Sequence, residues 1–541
     1  MAYSLPPILL SIVILAYVLY KHYTRISLRK IPGPEPKSFI LGNLVEVFHE
    51  QAGEADLKWM HRFGGIARIK GPFGEDMLWI SDPKALQYIY QTSGYNFPKL
   101  PERRMVSRLV GGRGLSWADG ETHRRHRKVM LPAFGAPEAR PLVPLFRGCA
   151  ERLASRWREI LECSDGHSGV MNVPRWISLA TLDAIGEAAF DYKFGALEDA
   201  DNELAKAYVN LLAETCGTPS PGKIFLQSMA YFVPMRVQEF LYDNLPGNGL
   251  DKARTTKEVG RRVAQELIKM KMDAVAMDKT SRDVMSILVK ANVSENEVTR
   301  LTEDEMVAQM RTIMLAGQET TSNTLSWALF ELAKQPRVQS RLRDEIWAKE
   351  TEIRERGGID LTASDLDSMT YLQAVLREVL RFYPAVYHTY RQSGKDDILP
   401  LSRPVTTRSG EVIHEVPIPK STRLVLSIIA YNRNSDAWGD DADKFIPERW
   451  LHRKVNHGPT LGAFSNLLTF AGGVRACIGW RFAVYELQSF LVELLTHFEF
   501  DVTDDLKRLR RESSVVMVPT LAGEIHKGAQ LPLKVSLIQR E

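Results

Sequence analysis

One cysteine, Cys477, lies in the most constrained stretch of this 541-residue sequence. The stretch reads FAGGVRACIG, residues 470–479, and a segment with the apolar spacing of a helix follows it directly. Gly473 and Gly479 allow the backbone to turn sharply and to approach another group closely. A cysteine at a helix N-terminus faces free backbone N–H groups, which favour the thiolate, and Arg475 adds positive charge. The alternative is a small core residue at a helix start, but the glycines and the arginine favour a ligating thiolate.

The composition excludes several other classes of protein. Apolar residues make up 44% of the chain and charged residues 25%, so a disordered or fibrous chain is excluded. The net charge of +4 is too small to indicate a nucleic-acid partner. Four cysteines without a Cys-x-x-Cys pair exclude both a disulfide scaffold and a thiolate zinc site: Cys149, Cys163, Cys216 and Cys477.

The first 20 residues predict a membrane anchor. Tyr3 to Tyr20 carry no charge, and 18 residues in a helix span about 27 Å, close to the hydrocarbon core of a bilayer. The basic residues that follow keep the body on the cytosolic side: Lys21, Arg25, Arg29 and Lys30. The alternative, which Pro6 and Pro7 favour, is a re-entrant or surface-lying helix.

The remaining sequence predicts a linker and one large domain. Residues 21–36 are basic and end in the proline-rich IPGPEP, which favours an extended spacer, and no further linker divides residues 37–541. Within this domain the pattern predicts a hairpin at residues 67–82 and a stretch of strands and loops at 385–450. Three long helices are predicted at 303–334, 370–382 and 479–497, and the first of them begins with a capping box of Thr302 and Glu305. The predicted class is mainly α with small β-sheets.

The cysteine stretch matches Phe-x-x-Gly-x-Arg-x-Cys-x-Gly at every fixed position: Phe470, Gly473, Arg475, Cys477 and Gly479. It resembles the haem-binding loop of the cytochrome P450 family, and the chain is similar to that family from about residue 31 to its end. The resemblance implies the cytochrome P450 fold behind an N-terminal transmembrane helix, and haem b (iron protoporphyrin IX) as the cofactor. It also implies that Cys477 is the axial thiolate ligand and that Phe470, Arg475 and Gly479 bind the haem.

The long predicted helix carries AGQETTS, residues 316–322. Small and hydroxyl residues in a helix most often indicate close packing, and they also favour a local opening. The segment resembles the oxygen-binding kink of the same family. This implies that Thr320 steadies dioxygen while Glu319 takes part in proton delivery.

Two further groups of residues have roles that the resemblance implies. His123 and Arg127 lie in the basic run GETHRRHRK, where a cation site is disfavoured and a solvated basic face is the simplest interpretation. With Arg391 and Arg475, they resemble the family's contacts to the haem propionates, with His123 in place of a tryptophan. Glu378 and Arg381 lie three residues apart, a spacing that by itself predicts a surface ion pair worth less than about 1 kcal/mol. The resemblance instead implies a buried triad with Arg449 that supports the thiolate loop.

Together these features predict a monooxygenase in the endoplasmic reticulum membrane with a cytosolic catalytic domain. The resemblance implies O2 as a substrate and electrons from NADPH through a reductase, which Arg124, Arg125 and Lys128 are expected to attract. It places substrate contacts in mostly apolar stretches, which favour a terpenoid, a sterol, a fatty chain or another secondary metabolite: Leu109, Val110, Phe225, Met229, Met310, Ile313, Met314, Val386, Met517 and Val518. The alternatives are a haem-thiolate isomerase or dehydratase that acts on a peroxide, and a non-catalytic haem-binding protein.

Overall fold

The protein is mostly helical in this computed structural model, which describes residues 26–199, 201–277, 283–293, 300–452 and 460–538. The predicted anchor lies outside these residues. Within them, no helix combines the length and the apolar character needed to cross a bilayer. The α-helices are α1 (Leu44–His49), α2 (Glu54–Phe63), α3 (Pro83–Gln87), α4 (Pro101–Gly111), α5 (Gly120–Met130), α6 (Ala136–Ala139), α7 (Val143–Glu162), α8 (Val173–Phe190), α9 (Glu203–Tyr208), α10 (Leu211–Cys216), α11 (Pro221–Ala230), α12 (Met235–Asn244), α13 (Asn248–Ala276), α14 (Val284–Val293), α15 (Glu303–Lys334), α16 (Pro336–Glu355), α17 (Ala363–Ser368), α18 (Thr370–Phe382), α19 (Ile428–Asn432), α20 (Ser435–Trp438) and α21 (Trp480–His497).

The strands form four small sheets, so the predicted class, mainly α with small β-sheets, is confirmed. They are β1 (Ile66–Lys70), β2 (Asp76–Ile80), β3 (Ser168–Asn172), β4 (His388–Gln392), β5 (Asp397–Thr406), β6 (Val412–Ile418), β7 (Arg423–Ser427), β8 (Phe498–Val502), β9 (Leu509–Ser513), β10 (Met517–Leu521) and β11 (Pro532–Leu537). The sheet orders are β1-β2-β7-β4, β3-β11-β8, β5-β6 and β9-β10. The predicted hairpin is the antiparallel pair β1-β2, in which Ile66 lies opposite Ile80.

Helix α15 is the central element, and its predicted bounds are confirmed. The capping box is present, because the Thr302 hydroxyl accepts from the backbone of Glu305 while the Glu305 carboxylate accepts from the backbone of Thr302. Its 32 residues extend over about 48 Å. Most of them are buried, since α8 and α21 pack on this helix.

Helix α21 holds the cysteine loop at its N-terminal end, and Gly479 is its N-cap. It packs along α7, where Phe146 meets Phe482 edge to face with ring centres 4.7 Å apart. Because α21 is anchored through these aromatic contacts, its first turn gives the loop before it a fixed starting point.

The proline-rich segment differs from the predicted spacer. Its backbone is extended, as the prolines require, but Ile31 is buried and the Pro32 carbonyl accepts from the backbone N–H of Arg68 at 2.9 Å. The Lys30 carbonyl accepts from the backbone N–H of Arg408 at 2.8 Å. From Leu28 onward, the segment predicted as a linker is therefore packed on the catalytic body.

We predict that Gly33→Ala destabilises the protein by about 1–3 kcal/mol, as overpacking does in a core. A β-carbon at residue 33 would lie 1.8 Å from the Arg68 carbonyl oxygen, so the backbone has to move. Urea unfolding of the full chain measures the loss. Gly148→Ala on α7 is the matched control, because nothing lies within 4 Å of its β-carbon position. Equal stability of the two variants would mean that the segment is a free linker.

Candidate active site

The cysteine loop is held by its own backbone and by one close approach. The backbone N–H of Cys477 donates to the Phe470 carbonyl at 2.8 Å, which closes the loop before α21. Gly473 has φ +60°, and a β-carbon there would lie 1.9 Å from the Tyr90 carbonyl oxygen. Only glycine fits this position, so the path of the loop depends on its contact with the segment around Tyr90.

The thiol of Cys477 is accessible from open space although it lies deep within the body. Burial raises the pKa of this thiol, and the Gly479 N–H and the nearby Arg127 lower it only in part. The expected contribution of the helix N-terminus is present through the Gly479 N–H, whereas the nearby cation that favours the thiolate is Arg127 and not Arg475. Cysteine binds a metal as the thiolate, so the proton has to leave when a metal binds.

One face of α15 borders open space in the middle of an otherwise buried helix. Its accessible residues, which we call the open face, are Thr312, Ala316, Gly317 and Thr320. The residues on either side, such as Leu315 and Gln318, are buried. An accessible face on an interior helix marks a wall of an internal space, and these four residues carry no charge.

Glu319 and Thr320 point in different directions. Glu319 is buried, and one carboxylate oxygen accepts from the backbone N–H of Leu212 on α10 at 3.0 Å. Its other oxygen has no hydrogen-bond partner within the described part of the chain. Burial raises the pKa of Glu319 to about 8. Thr320 lies on the open face, and its hydroxyl donates to the Ala316 carbonyl at 2.6 Å.

The helix is continuous through this turn, so the opening suggested by the sequence is not a break. The side chain of Asn323 donates to the Glu319 carbonyl at 2.7 Å, and the Thr324 hydroxyl donates to the Thr320 carbonyl at 2.8 Å. These bonds satisfy carbonyls at the turn while the helix continues. Side chains that bond back to the helix in this way tend to bend it.

The structure brings together the four residues expected to hold haem propionates. His123 is buried on α5, and its Nδ1 lies 2.9 Å from the Tyr95 hydroxyl. Arg127, one turn further, donates to the Ala476 carbonyl at 2.7 Å. Arg391 is buried on β4, and Arg475 pairs with Asp119.

Two further members of this group were missed from the sequence. Asp119 caps α5, and the Lys99 ammonium donates to the Ser116 and Ala118 carbonyls at 2.5 and 2.8 Å. The N-cap position before a helical run is a signal that could have indicated Asp119. Lys99 has no local signal, because its neighbours are brought to it by packing.

We call these six residues the cationic cluster: Lys99, Asp119, His123, Arg127, Arg391 and Arg475. Asp119 is the only carboxylate of the set. Burial and the charge of Arg391 lower the pKa of Lys99 to about 7, and burial and the charge of Lys99 lower the pKa of His123 to about 3. The Nε of Arg475 is buried without a partner among the described residues. The cluster thus has an excess of positive charge that an anionic group would offset.

Haem b fits these features. Its two propionate carboxylates match the excess charge of the cationic cluster, and its iron matches the accessible Cys477 thiol. The close approach at Gly473 and the N-cap at Gly479 leave the space in front of the cysteine free of side chains from those two positions.

The predicted triad is fully formed and buried. Both carboxylate oxygens of Glu378 accept from the Arg381 guanidinium at 2.8 Å, and one also accepts from Arg449 Nε at 3.0 Å. The side chains of Glu378 and Arg381 have no exposed surface, so the surface-pair interpretation is wrong. The other arginine donors bind backbone carbonyls, including that of Asn432 at 3.1 Å, and Arg449 Nη1 also donates to the Asp441 carboxylate at 2.7 Å.

Asn432, which sequence reasoning missed, connects this triad to the cysteine loop. Its side-chain oxygen accepts from the backbone N–H of Leu468 at 3.0 Å, and its amide donates to the Thr469 hydroxyl at 2.9 Å. Thr469 in turn donates to the Leu380 carbonyl on α18 at 2.6 Å. The triad therefore helps to fix Leu468 and Thr469, the two residues that lead directly into Phe470.

Several expected contact residues lie elsewhere. Met310, Met314 and Met517 are packed in the core, and Phe225 lies against Phe73 with ring centres 6.0 Å apart. Arg125, expected to attract a reductase, is bound to the Glu305 carboxylate. The resemblance implied only the stretches of chain in which such contacts lie, and apolar character or charge within a stretch does not distinguish core from cavity.

Comparisons with known proteins agree with this geometry. A family model described as "Cytochrome P450" matches residues 32–525. "Cytochrome P450 monooxygenase 205" of Postia placenta is 33% identical over 524 residues, covering 94% of this chain and 92% of that protein. "Cytochrome P450 monooxygenase 81" of the same fungus is 33% identical over 547 residues, covering 98% and 97%. "Cytochrome P450 monooxygenase claP" of Ampulloclitocybe clavipes is 32% identical over 520 residues, covering 94% and 93%. The similarity thus extends well beyond the cysteine motif.

We predict that Glu378→Gln destabilises the protein by about 3–5 kcal/mol, because it leaves the buried Arg381 guanidinium without a counter-charge and Arg449 with Asp441 alone. Urea unfolding measures the loss, and the reduced, carbon-monoxide-bound spectrum reports whether the thiolate loop is retained. Asp504→Asn is the control, since it removes an exposed ion pair with Lys507 and should cost less than about 1 kcal/mol. A similarly small loss for Glu378→Gln would contradict the structural role of the triad.

Proposed function

Because the chain belongs to the cytochrome P450 family of monooxygenases, we propose that it inserts one oxygen atom of O2 into a C–H bond of a bulky apolar molecule. A terpenoid, a sterol or another secondary metabolite fits this description. We further propose that electrons come from NADPH through a flavoprotein reductase and that the chain is anchored in the endoplasmic reticulum membrane.

The proposed roles at the cofactor follow from the residues described above. Cys477 would ligate the haem iron, and the four cations of the cationic cluster together with His123 would bind the propionates. Haem with a thiolate ligand supplies the oxidative chemistry when bound, since the thiolate favours O–O cleavage. The triad of Glu378 keeps the ligand loop in place and does not take part in the reaction.

The open face of α15 is the observation that carries the substrate proposal. It presents a methyl group at Ala316, bare backbone at Gly317 and two hydroxyls, at Thr312 and Thr320. The acid next to this face, Glu319, is turned toward α10. A wall without charge favours an apolar substrate that is held mainly by shape and by removal of its surface from water.

Glu319 and Thr320 support a monooxygenase over an isomerase. With a pKa of about 8, the Glu319 carboxyl holds a proton at neutral pH, and its second oxygen is free to pass that proton on. The Thr320 hydroxyl lies on the open face, where it would orient a small oxygen ligand by turning from the Ala316 carbonyl to which it now donates. Reduction of O2 consumes protons, whereas rearrangement of a peroxide needs no proton supply.

Exposed aromatic and aliphatic side chains support the proposed membrane contact. Leu226, Phe232 and Phe240 on or between α11 and α12 are exposed, and so is Phe39 near the N-terminal segment. Phe73 lies between these two regions: its backbone N–H donates to the Ile40 carbonyl, next to Phe39, and its ring contacts that of Phe225 on α11. Exposed apolar side chains of this size favour a lipid surface, and one of them, Phe39, follows the predicted anchor closely in the sequence.

The exposed cations of α5 support the proposed reductase contact. Lys128 is exposed on the helix that also carries His123 and Arg127, and Arg124 is exposed as well, although it pairs with Glu121. Arg125 is excluded, because it is engaged with Glu305. A positive surface next to the cofactor residues would attract an acidic partner and guide its approach.

Turnover with isotopic oxygen tests the proposed function. The membrane-expressed protein is supplied with a fungal reductase, NADPH, labelled O2 and a panel of terpenoids and sterols. The proposal expects a product with one labelled oxygen atom that requires all three components. Conversion of an organic hydroperoxide without O2 or reductase would establish the isomerase alternative instead.

We predict that Glu319→Gln lowers the product formed per NADPH consumed by about tenfold or more, because the amide cannot pass on a proton. Parallel measurement of NADPH, hydrogen peroxide and product checks this. Glu303→Gln, at the exposed start of the same helix, is the control and should leave the ratio unchanged. An unchanged ratio in both variants would exclude Glu319 from proton delivery.

We predict that Lys128→Glu slows reductase-driven turnover about threefold or more at low salt, because it reverses a charge on the proposed docking surface. Peroxide-driven turnover should be unaffected, since it needs no partner. Lys420→Glu, in the turn between β6 and β7, is the charge-matched control. Equal loss of both kinds of turnover would show that Lys128 acts within the protein and not at the reductase contact.

A further inference from the structure

The irregular segment after α4, residues 112–118, is held against α15 by a buried glutamine. The backbone N–H of Leu115 donates to Gln309 Oε1 at 2.8 Å. Gln309 is completely buried on α15, one turn before Thr312, the first residue of the open face. A buried amide that accepts from a loop N–H fixes the distance between loop and helix.

This segment also lies directly beside the open face. A β-carbon at Gly114 would lie 2.5 Å from the Thr312 hydroxyl and 2.7 Å from the Ala308 carbonyl. The Arg311 guanidinium donates to the Val110 carbonyl at 3.0 Å, just before the segment. Any shift of residues 112–118 away from α15 therefore changes the wall next to Thr312.

The orientation of the Gln309 amide is set from the other side by His126 of α5. Since Oε1 accepts from Leu115, the NH2 group has to donate, and it lies 2.9 Å from His126 Nδ1. Nδ1 is then the unprotonated nitrogen, and Nε2–H donates to the Glu305 carboxylate at 3.1 Å. Glu305 is itself held by Arg125 and by the capping box with Thr302. Each donor in this series of hydrogen bonds, from the Leu115 N–H to the Glu305 carboxylate, therefore faces an acceptor.

We propose that Gln309 is a positioning residue for the substrate site, which fixes residues 112–118 beside Thr312 through an amide that His126 holds in one orientation. Only glutamine supplies an acceptor and a donor at this end of the side chain. A glutamate lacks the donor, and a leucine leaves both Leu115 N–H and His126 Nδ1 unpaired. The proposal rests on the proposed function only in assigning the segment to the substrate side.

Hydrogen exchange in the haem-loaded full chain tests the contact directly. Gln309→Leu should speed exchange of the peptide that contains the Leu115 amide by about tenfold or more. Gln339→Leu is the matched control, because Gln339 is also buried and its Oε1 also accepts from a backbone N–H, that of Phe500 at 2.9 Å. Unchanged exchange at Leu115, or equal acceleration there in the Gln339 variant, overturns the proposal.

A pair of variants at His126 separates orientation from packing. His126→Asn keeps an acceptor near the position of Nδ1 and should leave exchange at Leu115 within about twofold of the wild type. His126→Phe fills the space without an acceptor and should speed exchange as Gln309→Leu does. Equal exchange rates in the two variants would mean that His126 does not orient the amide.

Spectral titration with two nitrogen ligands tests the link to the substrate site. Imidazole is small, whereas 4-phenylimidazole extends into the space in front of the haem. Gln309→Leu should change the Kd of 4-phenylimidazole about tenfold and that of imidazole less than twofold. Equal shifts for both ligands, or none for either, overturn the assignment to the substrate side. These results stand even if no apolar substrate is oxidised, so the two proposals fail separately.

Discussion

A single buried carboxylate, that of Glu378, holds two arginines and through them the ligand loop. Arg381 and Arg449 both donate to it, and their other donors bind backbone carbonyls between Asn432 and Lys444 and, from Arg449, the Asp441 carboxylate. Isolated burial of one such charge would cost several kcal/mol, so the three groups are stable only together. Asn432 extends this network to the backbone of Leu468, two residues before the cysteine loop begins at Phe470. The position of Cys477 therefore depends on charged side chains that lie outside the loop itself.

The electrostatics of the protein are balanced by its cofactor. The thiol of Cys477 is disfavoured as a thiolate by burial, and the cationic cluster has more cations than Asp119 can offset. The two carboxylates of a haem would offset the excess positive charge of the cluster, and its iron would stabilise the thiolate form of Cys477. Cofactor binding and fold stability are therefore expected to be coupled, since a ligand that binds only the native state stabilises it.

Local sequence signals predicted the helices and strands. They did not predict which charged side chains are buried or paired, because that depends on packing between distant parts of the sequence. The capping box of Thr302 and Glu305 and the hairpin at β1-β2 are set by neighbouring residues, and both are confirmed. The pairing of Arg125 with Glu305 joins residues 180 positions apart, so a basic run gave no sign that one of its cations was engaged. For the same reason, spacing alone could not show that the pair of Glu378 and Arg381 is buried.

Helix α15 divides its polar side chains between architecture and chemistry. Polar groups on a buried helix are costly unless they form hydrogen bonds. Glu305, Gln309 and Thr312 form theirs with α5 and with the backbone around α4. One turn around Glu319 is different, because an oxygen of Gln318 and an oxygen of Glu319 are buried without a partner in the described part of the chain. Natural sequences accept such costs at functional sites. The same helix thus combines side chains such as Gln309, whose hydrogen bonds shape the site, with a turn around Glu319 whose buried oxygens keep the capacity to bind a further donor.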